Sequence, residues 1–260
     1  MTDFTEDTRF EPAESDMAKP DLETWIRSIG YEIAYWLITG VFVILCTVLA
    51  LLPGRRLLGW GLLMYGSAQV AAMKHVAGID VEIRGRERLP KEPAVIAAKH
   101  QSWGDGFVML SQVARIAFVA GDHLLKFPLV PHILKKAGAI CLSNQGGAEA
   151  RARLKTGIEE LQADPRDVLI YPEGRLSAPG EKHRYRTGVW RLYEGLDRPC
   201  APVATSLGLG WDRQGFIKRK GRVVLEFLDP IAPGMGKEAF MQELEARIEA
   251  RTEALVAEGR

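Results

Sequence analysis

The sequence has almost no net charge and few cysteines. Its 34 Lys and Arg residues balance 33 Asp and Glu residues, which leaves a formal charge of +1 at pH 7. Without a basic excess there is no reason to expect nucleic acid as a partner. The cysteines, Cys46, Cys141 and Cys200, are scattered and form no Cys-x-x-Cys pattern. We therefore predict small buried side chains in a reducing compartment rather than a disulfide framework or a metal site.

A basic leader is also lacking at the N-terminus. In the first 24 residues acidic side chains far outnumber Arg9 and Lys19, so the segment does not resemble a secretion signal. Its charge and low hydrophobicity predict that residues 1–30 form an acidic, disordered tail.

A long apolar run follows this tail. Residues 33–52 carry no charge and are numerous enough to cross the core of a bilayer. Arg55 and Arg56 follow the run, and four aromatic residues lie near its start: Trp25, Tyr31, Tyr35 and Trp36. Such flanks are typical of a membrane interface, and the basic side indicates that the main domain faces the cytoplasm.

A second apolar segment, residues 57–76, is rich in small residues. It is suited to close packing on the first segment or to a position partly in the interface. Residues 31–78 are thus predicted to be membrane-associated helices, and both a spanning hairpin and a monotopic pair remain open.

The main domain, residues 79–260, alternates short apolar runs with helical patterns. This order predicts an α/β fold with a mostly parallel sheet of about seven strands covered by helices. The predicted strands are Ile79–Gly85, Ala94–Lys99, Arg115–Ala120, Ala139–Leu142, Val168–Tyr171, Ala201–Ser206 and Val223–Leu228. The predicted helices are Phe107–Val113, Phe127–Ala137, Ala148–Ala163, Thr187–Leu196 and Lys237–Glu258. The last helix carries an apolar stripe that should pack on the sheet.

A histidine and an aspartate stand where the second predicted strand ends. His100 directly follows Ala94–Lys99, at the carboxyl edge where α/β sheets place reactive groups. The carboxylate of Asp105 could hold one ring nitrogen protonated and leave the other free as a base. A continuous helix would turn the two residues away from each other, so their contact requires a loop that leads into a helix.

Three further patterns carry polar or unusual residues. Tyr171-Pro-Glu173-Gly174-Arg175 follows another predicted strand and should face the same crevice as His100, although a solvated turn would look alike. Lys182-His-Arg184-Tyr-Arg186 leads to a predicted helix start and suits a phosphate, although charged runs are often plain surface. The strand Ala201-Pro-Val-Ala204 could equally be ordinary core.

Taken together, these patterns resemble the glycerolipid acyltransferase family, the 1-acylglycerol-3-phosphate acyltransferases. His100 and Asp105 match the family's His-x4-Asp motif, and residues 171–177 resemble its Phe-Pro-Glu-Gly-Thr-Arg-Ser motif at the Pro-Glu-Gly core. Residues 201–204 match a Val-Pro-Val-like strand, and the apolar N-terminal segments also agree. The resemblance extends from about residue 30 to residue 255.

The resemblance implies a membrane-bound enzyme of phospholipid biosynthesis. It would move a fatty acyl group from acyl-CoA or acyl-carrier protein to the hydroxyl of lysophosphatidate, at the cytoplasmic face of a bacterial inner membrane. His100 would be the general base and Asp105 its orienting partner, with no metal or cofactor required. The substrate-binding residues would be Glu173, Gly174, Arg175, Lys126, Arg184, Arg186 and Asn144. Backbone amides near Gly174, or a basic side chain, would stabilise the oxyanion.

Two positions depart from the family pattern. The second motif, Gly-x-Ile-x-x-x-Arg, ends here in Asn144, and Leu176 stands where the third motif has arginine. Each lost charge-assisted hydrogen bond to a phosphate costs about 1.5–3 kcal/mol. Either Arg175, Arg184 or Arg186 compensates, or the acceptor is a non-phosphate lysolipid of the lyso-ornithine type.

Two more distant alternatives stay open. The loss of both arginines is compatible with a lipid-binding relative that no longer catalyses acyl transfer. A hydrolase would need a protein nucleophile, and Ser102 lies close to His100, but it stands in no Gly-x-Ser-x-Gly elbow.

Overall fold

The computed structural model describes residues 19–143 and 147–259. The helices are α1 (Leu22–Leu51), α2 (Arg56–Ala72), α3 (Gly104–Gln112), α4 (Val130–Ala137), α5 (Gly147–Ala163), α6 (Gly188–Leu196) and α7 (Lys237–Gly259). The strands are β1 (Ile79–Arg84), β2 (Val95–Ala98), β3 (Ile116–Gly121), β4 (Ile140–Leu142), β5 (Asp167–Ile170), β6 (Cys200–Thr205) and β7 (Gly221–Phe227). Every predicted strand and helix of the main domain corresponds to one of these elements.

The strands form one sheet in the order β1-β7-β6-β2-β5-β3-β4. All neighbours run parallel except β6 and β7, which are antiparallel. All four residues of β2 are buried, because helices cover both faces of a parallel sheet and its central strands read as continuous apolar runs. The fold confirms the predicted α/β class.

Two apolar layers cover the sheet. One layer contains α3 and residues of α1 and α2, and the other contains α5, α6 and α7. The predicted stripe of α7 lies in the core, with its four residues 0% exposed: Phe240, Leu244, Ile248 and Leu255. Cys46 and Cys200 are buried, as predicted, whereas Cys141 is partly exposed.

Helix α1 begins earlier than the sequence patterns indicate. Residues 22–30, predicted as part of the tail, are helical, and the Asp21 carboxylate caps the helix by accepting from the Thr24 amide at 2.8 Å. Carboxylates stabilise the start of a helix, so the charges of Asp21 and Glu23 indicate the beginning of α1 rather than disorder. The tail before residue 19 lies outside the described residues.

The small residues of α2 divide between two neighbours. A side chain at Gly61 would meet Leu49 of α1, in agreement with the predicted packing of the two segments. At Gly66, however, an added Cβ would lie 2.6 Å from the Phe107 carbonyl oxygen, and at Gly59 it would lie 2.5 Å from that of Ala114. The glycines of α2 therefore bring it close to α3 as well as to α1.

One face of α1 packs against the main domain along its length. Near its start, Lys218 pairs with Glu32 at 2.6 Å, and the Tyr31 ring lies 5.4 Å from that of Trp211. Near its end, Cys46 packs in a cluster with Ile133 of α4. The opposite face exposes apolar side chains, including Ile26, Ile33, Leu37, Val41, Ile44 and Val48. In the described part of the chain, α1 is the one helix long and apolar enough to cross a membrane.

Candidate active site

His100 and Asp105 meet at the carboxyl edge of the sheet. β2 ends at Ala98, a short loop follows, and α3 begins at Gly104, so the loop brings the two side chains to the same place. Nδ1 of His100 lies 3.0 Å from Oδ2 of Asp105. The imidazole is 20% exposed and the carboxylate 1% exposed. The contact expected from a strand-loop-helix arrangement is therefore present, with the imidazole open to solvent and the carboxylate enclosed.

The Asp105 carboxylate is fixed by the backbone as well as by the histidine. Its Oδ2 accepts from the amides of Gln101 at 2.7 Å and Ser102 at 2.8 Å. A carboxylate in the first turn of a helix is further stabilised by the helix dipole. Because an ionised carboxylate only accepts hydrogen bonds, Nδ1 of a neutral His100 carries the proton. Nε2 is then left as the acceptor that can take a proton from a substrate.

Tyr171 restrains the imidazole from one side. Its ring stacks on that of His100, with centroids 3.9 Å apart and planes 15° from parallel. Tyr171 directly follows β5, which pairs with β2, so both rings lie at the same end of two neighbouring parallel strands. Burial and the Asp105 charge raise the pKa of the Tyr171 hydroxyl well above its ordinary value. Tyr171 therefore acts as a neutral ring that orients His100.

Glu173 points into the protein rather than into a crevice. It is 2% exposed, and Oε1 lies 2.7 Å from Nζ of Lys99, the residue before His100. Nζ also contacts both carboxylate oxygens of Glu249 on α7, at 2.9 and 3.0 Å. The prediction that Glu173 lines the acceptor pocket is not supported, since its carboxylate is held inside by Lys99.

Lys99 thus forms ion pairs with two buried carboxylates, those of Glu173 and Glu249. Burial and, less strongly, the Glu249 charge raise the pKa of Glu173, Lys99 lowers it, and the net result is a pKa of about 7. The Tyr185 hydroxyl donates to Glu249 at 2.9 Å. Sequence reasoning missed Lys99 and Glu249, because Glu249 belongs to a helix whose only visible signal was an apolar stripe. We refer to Lys99, Glu173, Glu249 and Tyr185 as the buried network.

Gly174 and Arg186 lie against each other at the edge of the site. Gly174 has φ +66°, and an added Cβ would lie 2.8 Å from Nε of Arg186. The Arg186 amide donates to the Pro172 carbonyl at 2.8 Å, which joins the two loops. The Pro-Glu-Gly loop and the basic run are therefore in contact, with Gly174 leaving room for a guanidinium.

Residues 80–206 match the family model described as Acyltransferase. Over these residues the chain is similar to acyltransferases, in agreement with the expected family. It is 29% identical to the 1-acyl-sn-glycerol-3-phosphate acyltransferase of Pseudomonas aeruginosa over 183 residues, which are 70% of each chain. It is also 29% identical to a lyso-ornithine lipid O-acyltransferase of that organism, over 98 residues that are 38% of this chain and 37% of that protein.

The fold agrees with a solved structure. The crystal structure of the 1-acyl-sn-glycerophosphate acyltransferase PlsC from Thermotoga maritima superposes with a TM-score of 0.73. The likeness covers 89% of this chain and 95% of that one, at 20% sequence identity. The likeness shows that the two chains share a fold.

The remaining basic residues of the acyltransferase lie on the Pro-Glu-Gly loop and on the basic run that follows it. Arg175 and Arg184 are exposed, and burial together with the Arg175 charge lowers the pKa of His183, so the two loops approach each other there. Lys182 forms an ion pair with Glu253 of α7, so its ammonium group is not available to bind a substrate.

Two further residues, Lys126 and Ser102, do not belong to this basic group. Lys126 is exposed at the end of a short 3-10 turn after β3, and in residues 19–143 and 147–259 no hydrogen bond or ion pair joins it to the dyad. Asn144 lies outside the described residues. Ser102 is 0% exposed, and its hydroxyl accepts from the Gly104 amide at 3.0 Å. A buried serine engaged in holding the start of α3 is poorly placed as a hydrolase nucleophile.

Proposed function

We propose that this acyltransferase moves a fatty acyl group from acyl-CoA or acyl-carrier protein to the hydroxyl of lysophosphatidate, which yields phosphatidate. The observation that carries the proposal is the Asp105-oriented imidazole of His100 beside an arginine-lined loop. The Pseudomonas relative with 70% coverage bears the name of this activity. Neither a metal nor a cofactor has a role in the steps below, and that remains a prediction.

The dyad supplies the proton transfers. Nε2 of His100 takes the proton of the acceptor hydroxyl as its oxygen attacks the thioester carbonyl. The imidazolium that forms is stabilised by Asp105. Collapse of the tetrahedral intermediate breaks the carbon–sulfur bond, and the departing sulfur takes the proton from His100. An ester and a free thiol are the products, and the dyad returns to its starting state.

The oxyanion of the intermediate needs hydrogen-bond donors. The Gly174 amide, one of the expected candidates, donates to the Tyr171 carbonyl at 3.0 Å and is therefore occupied. The next amides, those of Arg175 and Leu176, donate to no protein acceptor in the described part of the chain. We assign the oxyanion to these amides, since fixed donors at that point stabilise developing charge.

The acceptor phosphate would lie against Arg175, Arg184 and Arg186. These side chains are exposed at the same edge, and they supply the positive charge lost at Leu176. Lyso-ornithine lipid is the second candidate acceptor, favoured by Asn144 and Leu176 and by the shorter of the two Pseudomonas matches.

Helices α1 and α2 would hold the enzyme on one leaflet. Although α1 is long enough to cross a membrane, its contacts with the main domain from Ser28 to Ala50 leave only its outer face for lipid. Phe127 and Phe216 add exposed apolar area outside these helices. We therefore favour the monotopic arrangement at the cytoplasmic face of a bacterial cell membrane.

An acceptor comparison tests the proposal. Purified enzyme in detergent micelles would receive lysophosphatidate or lyso-ornithine lipid, each with acyl-CoA and with acyl-carrier protein, and products would be identified by mass spectrometry. We expect the highest kcat/KM with lysophosphatidate, and Arg186→Gln should raise KM for it more than it lowers kcat. Preference for lyso-ornithine lipid would replace the proposed acceptor, and turnover of neither would contradict acyl transfer to lysolipids.

A further inference from the structure

A second basic region lies at the opposite edge of the sheet from His100. A cavity of about 460 Å³ is formed by the turn between α1 and α2, the end of α4 and the loops before β3 and β5. Its lining residues are Gly54, Arg55, Arg56, Arg115, Lys136 and Asp164. Because Arg115 and Asp164 precede parallel strands, the cavity opens at the amino edge and is separate from the dyad at the carboxyl edge.

The cavity contains more positive than negative charge. Asp164 is the one carboxylate in its lining, and it pairs with Arg55, with Arg115 at 3.4 Å and with Arg166 at 2.7 Å. Burial opposes ionisation of Asp164, yet the hydrogen bond from Arg55 and the neighbouring guanidinium charges outweigh it and lower the pKa. The Asp164 carboxylate is therefore ionised and pairs with three arginines, so one negative charge faces three positive charges.

The other two cations have no acidic partner. In residues 19–143 and 147–259, the side chains of Arg56 and Lys136 make no ion pair or hydrogen bond. The Lys136 carbonyl accepts from Nε of Arg55 at 2.9 Å, which fixes the turn beside the end of α4. The sequence thus places two uncommitted cations at the rim of a cavity whose only carboxylate is already shared.

Behind the cavity lies an arginine with unused donors. Arg166 is 5% exposed, and its Nε and Nη2 have no hydrogen-bond partner among the described residues. Burial and the charges of Arg55 and Arg115 lower its pKa, which shows that cations crowd this point. An anion in the cavity would relieve this crowding.

Apolar side chains border the cavity on the side of the N-terminal helices. Leu51 and Leu52 at the end of α1 and Leu57 at the start of α2 are exposed and flank Arg55 and Arg56. Free phosphate has no apolar group that could contact these leucine side chains. A phospholipid would place its phosphate among the cations and its acyl chains along the leucines.

We propose that this cavity binds the phosphate of an anionic membrane phospholipid, as a site separate from the acceptor pocket at His100. The site would fix the amino edge of the sheet to the membrane surface while α1 and α2 enter the lipid. It requires membrane association but does not depend on which acceptor is used.

Binding to vesicles gives the first test. The double variant Arg56→Gln/Lys136→Gln removes the two uncommitted cations, and Lys155→Gln/Arg191→Gln removes two exposed cations from α5 and α6 as a matched control. We expect the first pair to bind phosphatidylcholine vesicles containing phosphatidylglycerol about 30-fold more weakly than wild type, with no loss on pure phosphatidylcholine. The control pair should bind as wild type does. Equal binding of both double variants to the anionic vesicles would overturn the proposal.

A second test separates a lipid site from a phosphate site. Dihexanoyl phosphatidylglycerol, added to the enzyme in neutral micelles, should raise the midpoint of thermal unfolding saturably in wild type and in the control pair, but not in Arg56→Gln/Lys136→Gln. An equal rise with inorganic phosphate would overturn the lipid assignment, and no rise with either would overturn the site. Acyl transfer in micelles should be unchanged in both double variants, so a failure here is distinguishable from a failure of the proposed function.

Discussion

At the scale of single residues, two buried polar atoms at the dyad have no hydrogen-bond partner in the described part of the chain. Oδ2 of Asp105 accepts from His100 and two amides, whereas Oδ1 has no hydrogen bond. The Tyr171 hydroxyl is likewise buried and unpaired, although its ring stacks on His100. The ring and the hydroxyl of Tyr171 can therefore be separated by substitution.

Tyr171→Phe should keep acyl transfer, because the stacked ring is retained. Losing an unsatisfied hydroxyl should leave the free energy of unfolding within about 1 kcal/mol of wild type or raise it. Tyr171→Ala should lower stability by about 3–5 kcal/mol and reduce kcat, since the imidazole loses its support. Thermal unfolding and steady-state kinetics of both variants check this, and a large loss of kcat in Tyr171→Phe would instead give the hydroxyl a direct role.

At the scale of elements, the N-terminal helices are connected to the helix that carries Asp105. Helix α2 crosses α3 at Gly66, where an added Cβ would lie 2.6–2.7 Å from atoms of Phe107, Leu110 and Ser111. Two of the three are backbone atoms, so the strain cannot be relieved by rotating a side chain.

Gly66→Ala should therefore force α2 away from α3. We expect a loss of about 1–3 kcal/mol in the free energy of unfolding and a lower kcat, because the position of Asp105 depends on α3. Gly40→Ala in α1 is the matched control, since no described residue has an atom within 4 Å of its Cβ position. The control should be neutral or stabilised by up to about 1 kcal/mol. Equal unfolding midpoints for the two variants would show that the crossing at Gly66 is not tight.

The buried network predicts a pH dependence of stability. With a folded pKa of about 7 against an ordinary value of 4.5, Glu173 binds more protons in the folded than in the unfolded state between these values. Stability should therefore fall as the pH rises through this window and level off above it.

Glu249→Gln should weaken that dependence. Removing the second carboxylate leaves Lys99 paired with Glu173 alone, which lowers the pKa of Glu173 and moves the fall in stability to lower pH. Unfolding midpoints measured from about pH 5 to about pH 8 check this. Glu253→Gln on the same helix, which alters only the exposed pair with Lys182, should retain the wild-type profile. Identical profiles for both variants would contradict the role given to Glu249.

At the scale of the whole molecule, the alternation of strands and helices was sufficient to predict the sheet, because parallel strands buried on both faces leave unbroken apolar runs. The contact between His100 and Asp105 was predictable for the same reason, since both stand where a strand gives way to a helix. The interior position of Glu173 was not, because its partners Lys99 and Glu249 are far apart in the chain and no local pattern connects them. The start of α1 was missed because capping carboxylates look like a charged tail.

The central claim is that His100 is the base in acyl transfer, and the most direct measurement is kcat of purified His100→Ala with lysophosphatidate and acyl-CoA. We expect a loss of about 10²–10⁴-fold in kcat from a variant that still folds and binds vesicles, since the imidazole is partly exposed and no element of the fold depends on it. His132→Ala, an exposed histidine on α4, should retain wild-type turnover. If His100→Ala also retained it, the assignment of the catalytic dyad would be wrong.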